Sequence, residues 1–362
     1  MSNQELTDFI ETASSVSPFR VESDFGNGFV RLRSEEAERR QAAQDIRCTE
    51  DIIIEAFRNS RDAHARSIFL ATSKEGSERH IVIIDDGDGV PADMHDHIFE
   101  PRVTSKLNSM RMDKWGVHGR GMALYSIAEN CVTARVVQSD LTLGSSFEFV
   151  SDTAKLKEKT DQSTFPSFYR TEGNTVTVRG PKNILRTTCE FALESVNTCT
   201  VYIGSFAEIV ATLYAFALSS LTTSQRLFCT DATRIPICKR LALAGDASHL
   251  AELAADIGLS VSERTCRRVL DGDITPCEPV LDRIAIVDPK NTKASRPKTA
   301  KRVLTQDDRG LKLANEDSQA FLSKVKKAYA DLARDYYLEP DVAPRLAIRR
   351  DELTISIPLR KV

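Results

Sequence analysis

Tryptophan occurs once in the 362 residues, methionine 5 times and histidine 6 times. No two of the 8 cysteines form a C-x-x-C pair, and none joins histidines at metal-ligand spacing. That pattern excludes a zinc finger or ribbon and a thioredoxin-like redox pair. The cysteines read as small buried hydrophobes, reduced in a cytoplasmic protein. Long apolar runs are missing too. The longest, 81–84 and around 210–218, fall far short of the ~20 residues that span a bilayer. The opening Met1-Ser-Asn-Gln-Glu lacks the basic-then-apolar profile of a secretory signal. Neither charge sign dominates: the formal net charge is −3. A nucleic-acid role would therefore need a local basic patch.

The remaining composition, 41% hydrophobic and 28% charged, is that of a soluble globular protein long enough for two or three domains. Residues 5–13 read as a short amphipathic helix and 28–32 as a strand. S-E-E-A-E-R-R from Ser34 opens a helix with acidic residues in its first turn. A helix over 52–65 places Ile52, Ile53, Ala56, Asn59 and Ala63 along one side. Strands follow at 67–71 and 80–84, then a turn at 85–89. Residues 92–115 are polar and irregular, a mobile loop by composition. A helix at 122–129 and strands at 132–138, 145–150 and 174–178 complete an α+β pattern. After Gly180-Pro181 the character changes. Helix-compatible apolar positions fill 191–221, and 240–270 reads as helical with a break at Gly258. A strand is expected at 284–287, a basic stretch at 290–302 and an amphipathic helix at 316–337. Residues 346–348 and 353–358 then close a small sheet.

Three short motifs carry the chemistry. In E-A-F-R-N-S-R-D-A (55–63), Glu55 and Asn59 are four apart and share one helix face. Asn59 offers a neutral oxygen suited to a Mg²⁺ held mainly by phosphate oxygens and water. Glu55 is placed to accept a proton from an attacking water, and Asp62 lies near the same face. In D-D-G-D-G (85–89), Asp85 ends an apolar strand and is partly buried, so it needs a donor. The exocyclic amine of adenine is such a donor. Gly87 and Gly89 let the backbone approach a flat base closely. In G-V-H-G-R-G, Gly116, Gly119 and Gly121 lead into a helix whose N–H groups suit phosphate oxygens. Thr104, Ser105 and Lys106 precede it, and Lys106, His118 and Arg120 are further phosphate candidates. The loop is neither a dinucleotide fingerprint nor a P-loop, because no strand runs straight into it and no Gly-Lys-Ser/Thr follows.

In this order the motifs resemble the GHKL superfamily of ATPases, which groups gyrase B, the heat-shock chaperone of ninety kilodaltons, histidine kinases and MutL. The resemblance covers about 25–180. It implies a Bergerat-type α/β sandwich that binds ATP and Mg²⁺. Residues 55–63 are similar to the first box, which implies Glu55 as the water-activating base and Asn59 as the Mg²⁺ ligand. Asp85-x-Gly87-x-Gly89 is similar to the second, which implies Asp85 as the adenine reader. Residues 116–121 resemble the lid-associated glycine box. Gly173-Asn-Thr175 resembles a later box, whose Thr175 would support the contact made by Asp85. The expected organisation is an ATP-binding domain over 1–180, a helical region over 181–280 and a small transducer-like domain over 281–362.

The branch within the superfamily is less defined. Ile98-Phe-Glu-Pro101 resembles histidine kinases, Thr104-Ser-Lys106 resembles MutL, and Ala123-Leu-Tyr-Ser126 resembles the topoisomerase VI B subunit. No histidine precedes His64, which disfavours self-phosphorylation in the usual layout. Residues 249–270 read as helix, turn, helix, with Ser260 or Ser262 capping the second helix and Arg264, Arg267 and Arg268 projecting from it. This is either a DNA-contacting motif or a plain helical hairpin. Lys290, Lys293, Arg296, Lys298, Lys301 and Arg302 form a second basic stretch, a solvated or DNA-facing loop or the source of a phosphate-contacting Lys298 or Lys301. The resemblance implies an ATP-dependent homodimer that acts as a clamp associated with DNA. No cleavage tyrosine is identifiable, so a partner subunit would supply DNA cleavage. A chaperone-like ATPase acting on a protein and a histidine-kinase-like signalling protein are the alternatives. No membrane association is expected.

Overall fold

Two adjacent strands with apolar residues on both faces set the architecture. In β3 (Ser67–Glu75) and β4 (Glu78–Asp85), Ile68, Leu70, Ile81 and Ile83 point to one side, and Phe69, Ala71, Val82 and Ile84 to the other. A sheet of this kind is stable only when both faces are covered. The computed structural model describes residues 21–34, 36–105, 111–118, 121–171, 176–229, 231–287, 315–336, 338–348 and 353–358.

In chain order the remaining elements of the first compact unit, Met1–Pro289, begin with β1 (Val21–Gly26), β2 (Phe29–Leu32), α1 (Glu36–Ala43) and α2 (Thr49–Asp62). After β4 come β5 (Val103–Thr104), β6 (Arg111–Asp113), β7 (Gly116–His118), α3 (Ala123–Asn130), β8 (Thr133–Asp140) and β9 (Gly144–Asp152). β10 (Ser167–Arg170), β11 (Val176–Arg179), α4 (Ile184–Glu194), β12 (Thr200–Gly204) and α5 (Phe206–Ser220) follow. Last are α6 (Thr223–Phe228), α7 (Ala247–Asp256), α8 (Glu263–Leu270) and β13 (Ile286–Val287). The central sheet has the order β12-β3-β4-β9-β8. β12 runs parallel to β3, and the other pairs are antiparallel. This mixed sheet with its helices is an α+β fold.

One face is covered by α2 (Ile52, Ile53, Ala56, Phe57), α3 (Ile127) and α4 (Phe191, Ala192). The other is covered by α5 (Ile209, Val210, Leu213), the 3-10 segment Ile237–Leu243, α7 (Leu250, Leu253, Ala254) and α8 (Cys266, Val269). The helices read from the sequence as a region of their own beyond 180 thus pack on the same sheet as α2. The strand inside that region escaped the sequence reading because T-V-Y-I-G sits between two strongly helical segments. Val201 and Ile203 nonetheless face inward in register with Ile68 and Leu70. β13 likewise belongs to the first unit, pairing in parallel with β10 through Phe168↔Ile286.

The described residues of 92–115, expected to be irregular, carry short ordered elements. The 3-10 turns Ala92–Met94 and His97–Phe99 bury Met94 and Ile98 against Phe29 and Val103, and β5 pairs with β2. Apolar side chains spaced widely among polar ones leave little periodicity to read. The second compact unit, Lys290–Val362, holds α9 (Asn315–Asp335) and the antiparallel pair β14 (Arg345–Ile348) and β15 (Leu353–Ser356). Its small core comprises Tyr329, Ala333 and Val342 with Leu338 and Ile357.

Candidate functional site

Helix α2 starts where Asp51 accepts the backbone N–H groups of Arg47 and Cys48 at 2.9 and 3.2 Å, satisfying donors at the N-terminus. Its apolar stripe is buried on the sheet, while Glu55, Asn59 and Asp62 are only partly buried. The C-terminal turn is tied to the D-D-G-D-G turn: Asp88 N–H donates to Ala63 O at 2.8 Å. β4 is buried along its length, so Asp85 at its end is only 2% exposed. Ser60 Oγ donates to Asp85 Oδ2 at 2.8 Å, and Gly87 N–H donates to Asp85 Oδ1 at 2.9 Å. These two bonds fix the plane of the carboxylate.

Two glycines make the turn compact. Gly89 has φ +76°, and a Cβ there would lie 1.8 Å from Asp140 O. Gly144 has φ +82°, and its Cβ would lie 2.1 Å from Asp85 O. The β8–β9 turn therefore presses directly on the Asp85 turn, where only glycine fits. Thr142 N–H donates to Asp88 O at 2.7 Å and closes the contact.

A pocket of about 150 Å³ opens between α2, the Asp85 turn and the start of α3. Of the residues expected at the site, it brings together Asn59, Asp62, Asp85, Gly89, Thr104 and Gly121. Gly87 supports Asp85 from behind. Glu55 lies one helical turn before Asn59, outside the lining, with its carboxylate on Arg58. Gly116 is set apart: it belongs to β7 and pairs with Asp113 in a hairpin, rather than leading into α3. Lys106, Gly119, Arg120 and Thr175 lie outside the described residues, as does the basic stretch from Lys290 to Arg302.

Several lining residues were not singled out from the sequence. Phe29, Val90, Ile98, Val103, Leu124 and Phe147 supply apolar walls, the surroundings a flat heterocycle requires. Ser60 was visible as the neighbour of Asn59. Ser145 stands opposite Asp85 in the β4–β9 register, which no local motif signals. A larger depression of about 580 Å³ lies at the end of β12, lined by Arg79, Glu208 and Cys277 among others. No motif residue faces it.

The electrostatics centre on α2. Burial raises the carboxyl of Glu55 above its ordinary range, opposed by the Arg58 guanidinium, with Asp113 and Asp45 adding to the rise. Burial also pushes Asp113 upward, but hydrogen bonds from Arg58 and Trp115 N–H and the charge of Arg58 outweigh it and hold its carboxyl low. Arg264, Arg267 and Arg268 are exposed on α8, whose Ser262 cap accepts from Thr265 N–H. Arg267 bonds Glu263 at 2.8 Å. Among the described residues no three His, Cys, Asp or Glu side chains cluster to hold a metal. No described helix is long and apolar enough to cross a membrane.

Residues 44–182 match the family model of histidine kinase-, DNA gyrase B- and HSP90-like ATPases. The chain is also 30% identical over 154 residues to the DNA mismatch repair protein MutL of two Limosilactobacillus reuteri strains, DSM 20016 and JCM 1112. The match covers 40% of this chain and 23% of each relative, so the chain spans about a quarter of their length.

Proposed function

Because residues 44–182 form a domain of the histidine kinase-, DNA gyrase B- and HSP90-like ATPase superfamily, we propose that the chain binds and hydrolyses ATP. The observation that carries this reading is the convergence of Asn59, Asp85, Thr104 and Gly121 on one apolar-walled pocket, with Glu55 one turn behind Asn59. The donor set fits the ligand. Asp85 is a buried carboxylate with a fixed plane, suited to an exocyclic amine. The start of α3 beside Gly121 offers N–H groups to phosphate oxygens. Asn59 offers one neutral oxygen, the donor that suits a Mg²⁺ arriving with a triphosphate. When bound, that ion supplies charge neutralisation on the β- and γ-phosphates.

The reaction assigned to Glu55 is proton removal from a water. As the water oxygen bonds to the γ-phosphorus, the bond from phosphorus to the β–γ bridging oxygen breaks. ADP and inorganic phosphate leave, and the proton passes to the Glu55 carboxylate. Positioning and charge stabilisation account for most of the rate in such transfers.

The wider role we propose is a nucleotide-gated dimerising clamp associated with DNA. The exposed arginines of α8 and the similarity to a DNA mismatch repair protein support it. Sizing the protein with and without a non-hydrolysable ATP analogue, each with and without duplex DNA, tests this. A dimer that forms only with the analogue and retains DNA supports the clamp. A monomer under all four conditions contradicts it.

A further inference from the structure

One ion network in the structure is not used by the reading above. Arg58 follows Glu55 by three residues in α2, and its side chain is only 4% exposed. Nη1 donates to Glu55 Oε1 at 2.5 Å. Nε donates to Asp113 Oδ2 at 2.9 Å, and Nη2 donates to Asp113 Oδ1. Asp113 is itself fixed, accepting from Trp115 N–H at 3.0 Å and from Arg61 Nη2 at 3.3 Å. The hairpin carrying Asp113 is anchored nearby: Lys114 Nζ pairs with Glu190 of α4 at 3.2 Å, and Trp115 packs against the core beside Phe191.

A guanidinium is a rigid plane whose donors point in fixed directions. Here one edge grips Asp113 and the other end reaches Glu55. The position of the hairpin therefore sets the position of the Arg58 plane, which sets the Glu55 carboxylate. We propose that Arg58 is a positioning residue for Glu55, held in place by Asp113, so that docking of the β6–β7 hairpin and readiness of the base are one event. The proposal rests on the reading of Glu55 as the base.

The charges around Glu55 explain why such a residue is needed. Burial favours the protonated carboxyl. The ionisable groups acting on it are Arg58 from α2, Asp113 from β6 and Asp45 from the segment before α2. Two of these three are acidic. Arg58 is the cation that opposes this rise, and a base must be ionised to accept a proton. Without it, burial and two carboxylates leave Glu55 protonated over a wider pH range.

The test is the pH dependence of phosphate release by the full chain, with ATP affinity followed by a fluorescent ATP analogue. It compares wild type, Glu55→Gln, Arg58→Gln, Arg58→Lys and Asp113→Asn. Arg58→Gln is expected to move the acidic limb of kcat upward by about one unit or more. At neutral pH kcat should fall about tenfold or more, with partial recovery as pH rises. Asp113→Asn removes a carboxylate that raises Glu55, so its limb should not move upward, while kcat falls about tenfold as Arg58 loses its anchor. Arg58→Lys should keep the limb near its wild-type position and lower kcat through lost geometry. A limb unmoved in Arg58→Gln, or a kcat unchanged in Asp113→Asn, overturns the proposal. If Arg58→Gln does not fold, Asp113→Asn decides alone. If wild type releases no phosphate, or Glu55→Gln matches wild type, the base reading and the proposal fall together. If Glu55→Gln is inactive and the limb stays put, only the proposal falls.

Discussion

Ser60 of α2 and Asp85 at the end of β4, both buried, are joined by a 2.8 Å hydrogen bond in which the serine hydroxyl donates. The helix carrying Glu55 and Asn59 is thus locked to the carboxylate expected to read adenine. Asp85→Ala should reduce ATP affinity about 10- to 100-fold, the range of a charge-assisted hydrogen bond. Ser60→Ala should cost about 1 kcal/mol of stability and weaken affinity less. Calorimetric titration with ATP checks both, and equal affinities in wild type and Asp85→Ala would remove Asp85 from the site.

Gly89 and Gly76 both have positive φ, but only Gly89 lacks room for a side chain: a Cβ would lie 1.8 Å from Asp140 O at Gly89 and would meet nothing within 4 Å at Gly76. Gly76→Ala should cost about 1–2 kcal/mol, the left-handed conformation alone. Gly89→Ala should cost about 3 kcal/mol or more, because backbone has to move. Denaturant midpoints at constant m-value compare the two directly.

Glu158 is buried between Arg79, which bonds it through Nε and Nη2 at 2.9 and 3.1 Å, and Lys74 at 2.7 Å. Burial alone would raise its carboxyl, but hydrogen bonds and charge from Arg79 and Lys74 prevail and hold it below the usual range. A depressed carboxyl stabilises the fold above its unfolded pKa, and that stability is lost as pH falls through the folded value. Glu158→Gln should therefore be less stable than wild type by about 3 kcal/mol at pH 7, since Arg79 is left buried without its counter-charge. The difference should shrink below about pH 4.5. A difference independent of pH between 3 and 7 would assign the loss to packing instead.

If α8 contacts DNA, replacing Arg264, Arg267 and Arg268 together with glutamine should weaken binding at all duplex sequences. It should also reduce the slope of log affinity against log salt by up to about 3. Arg267 pairs with Glu263 at 2.8 Å and Arg268 with Asp273 at 3.9 Å, so Arg264 should contribute the most of the three. An unchanged slope would move any DNA contact elsewhere on the chain.

What could be read from the sequence followed the range over which each feature is encoded. Asn59 and Asp85 were legible because each lies in a motif within one helix or one turn, and the structure brings both to the pocket. The Arg58–Asp113 bond joins residues 55 apart and leaves no local signature beyond the spacing of Glu55 and Arg58. Gly144, which presses on Asp85 from the next hairpin, was equally silent. Gly116 was misleading, since a glycine before a helix and a glycine in a hairpin look alike in one dimension. β12 was hidden because Val201 and Ile203 occupy a five-residue strand, too short to establish a period against its helical flanks. The second helical layer was legible as helices but not as a cover for the sheet, since sequence periodicity shows that a face is apolar without showing what it meets.

As the proposed base, Glu55 separates ATP hydrolysis from ATP binding. The most direct test of that role measures ATP affinity and single-turnover phosphate release for wild type and Glu55→Gln side by side. Affinities within about threefold are expected, with a rate lower by about two decades or more in the variant, the scale of a lost general base. Equal rates with equal affinities would contradict it.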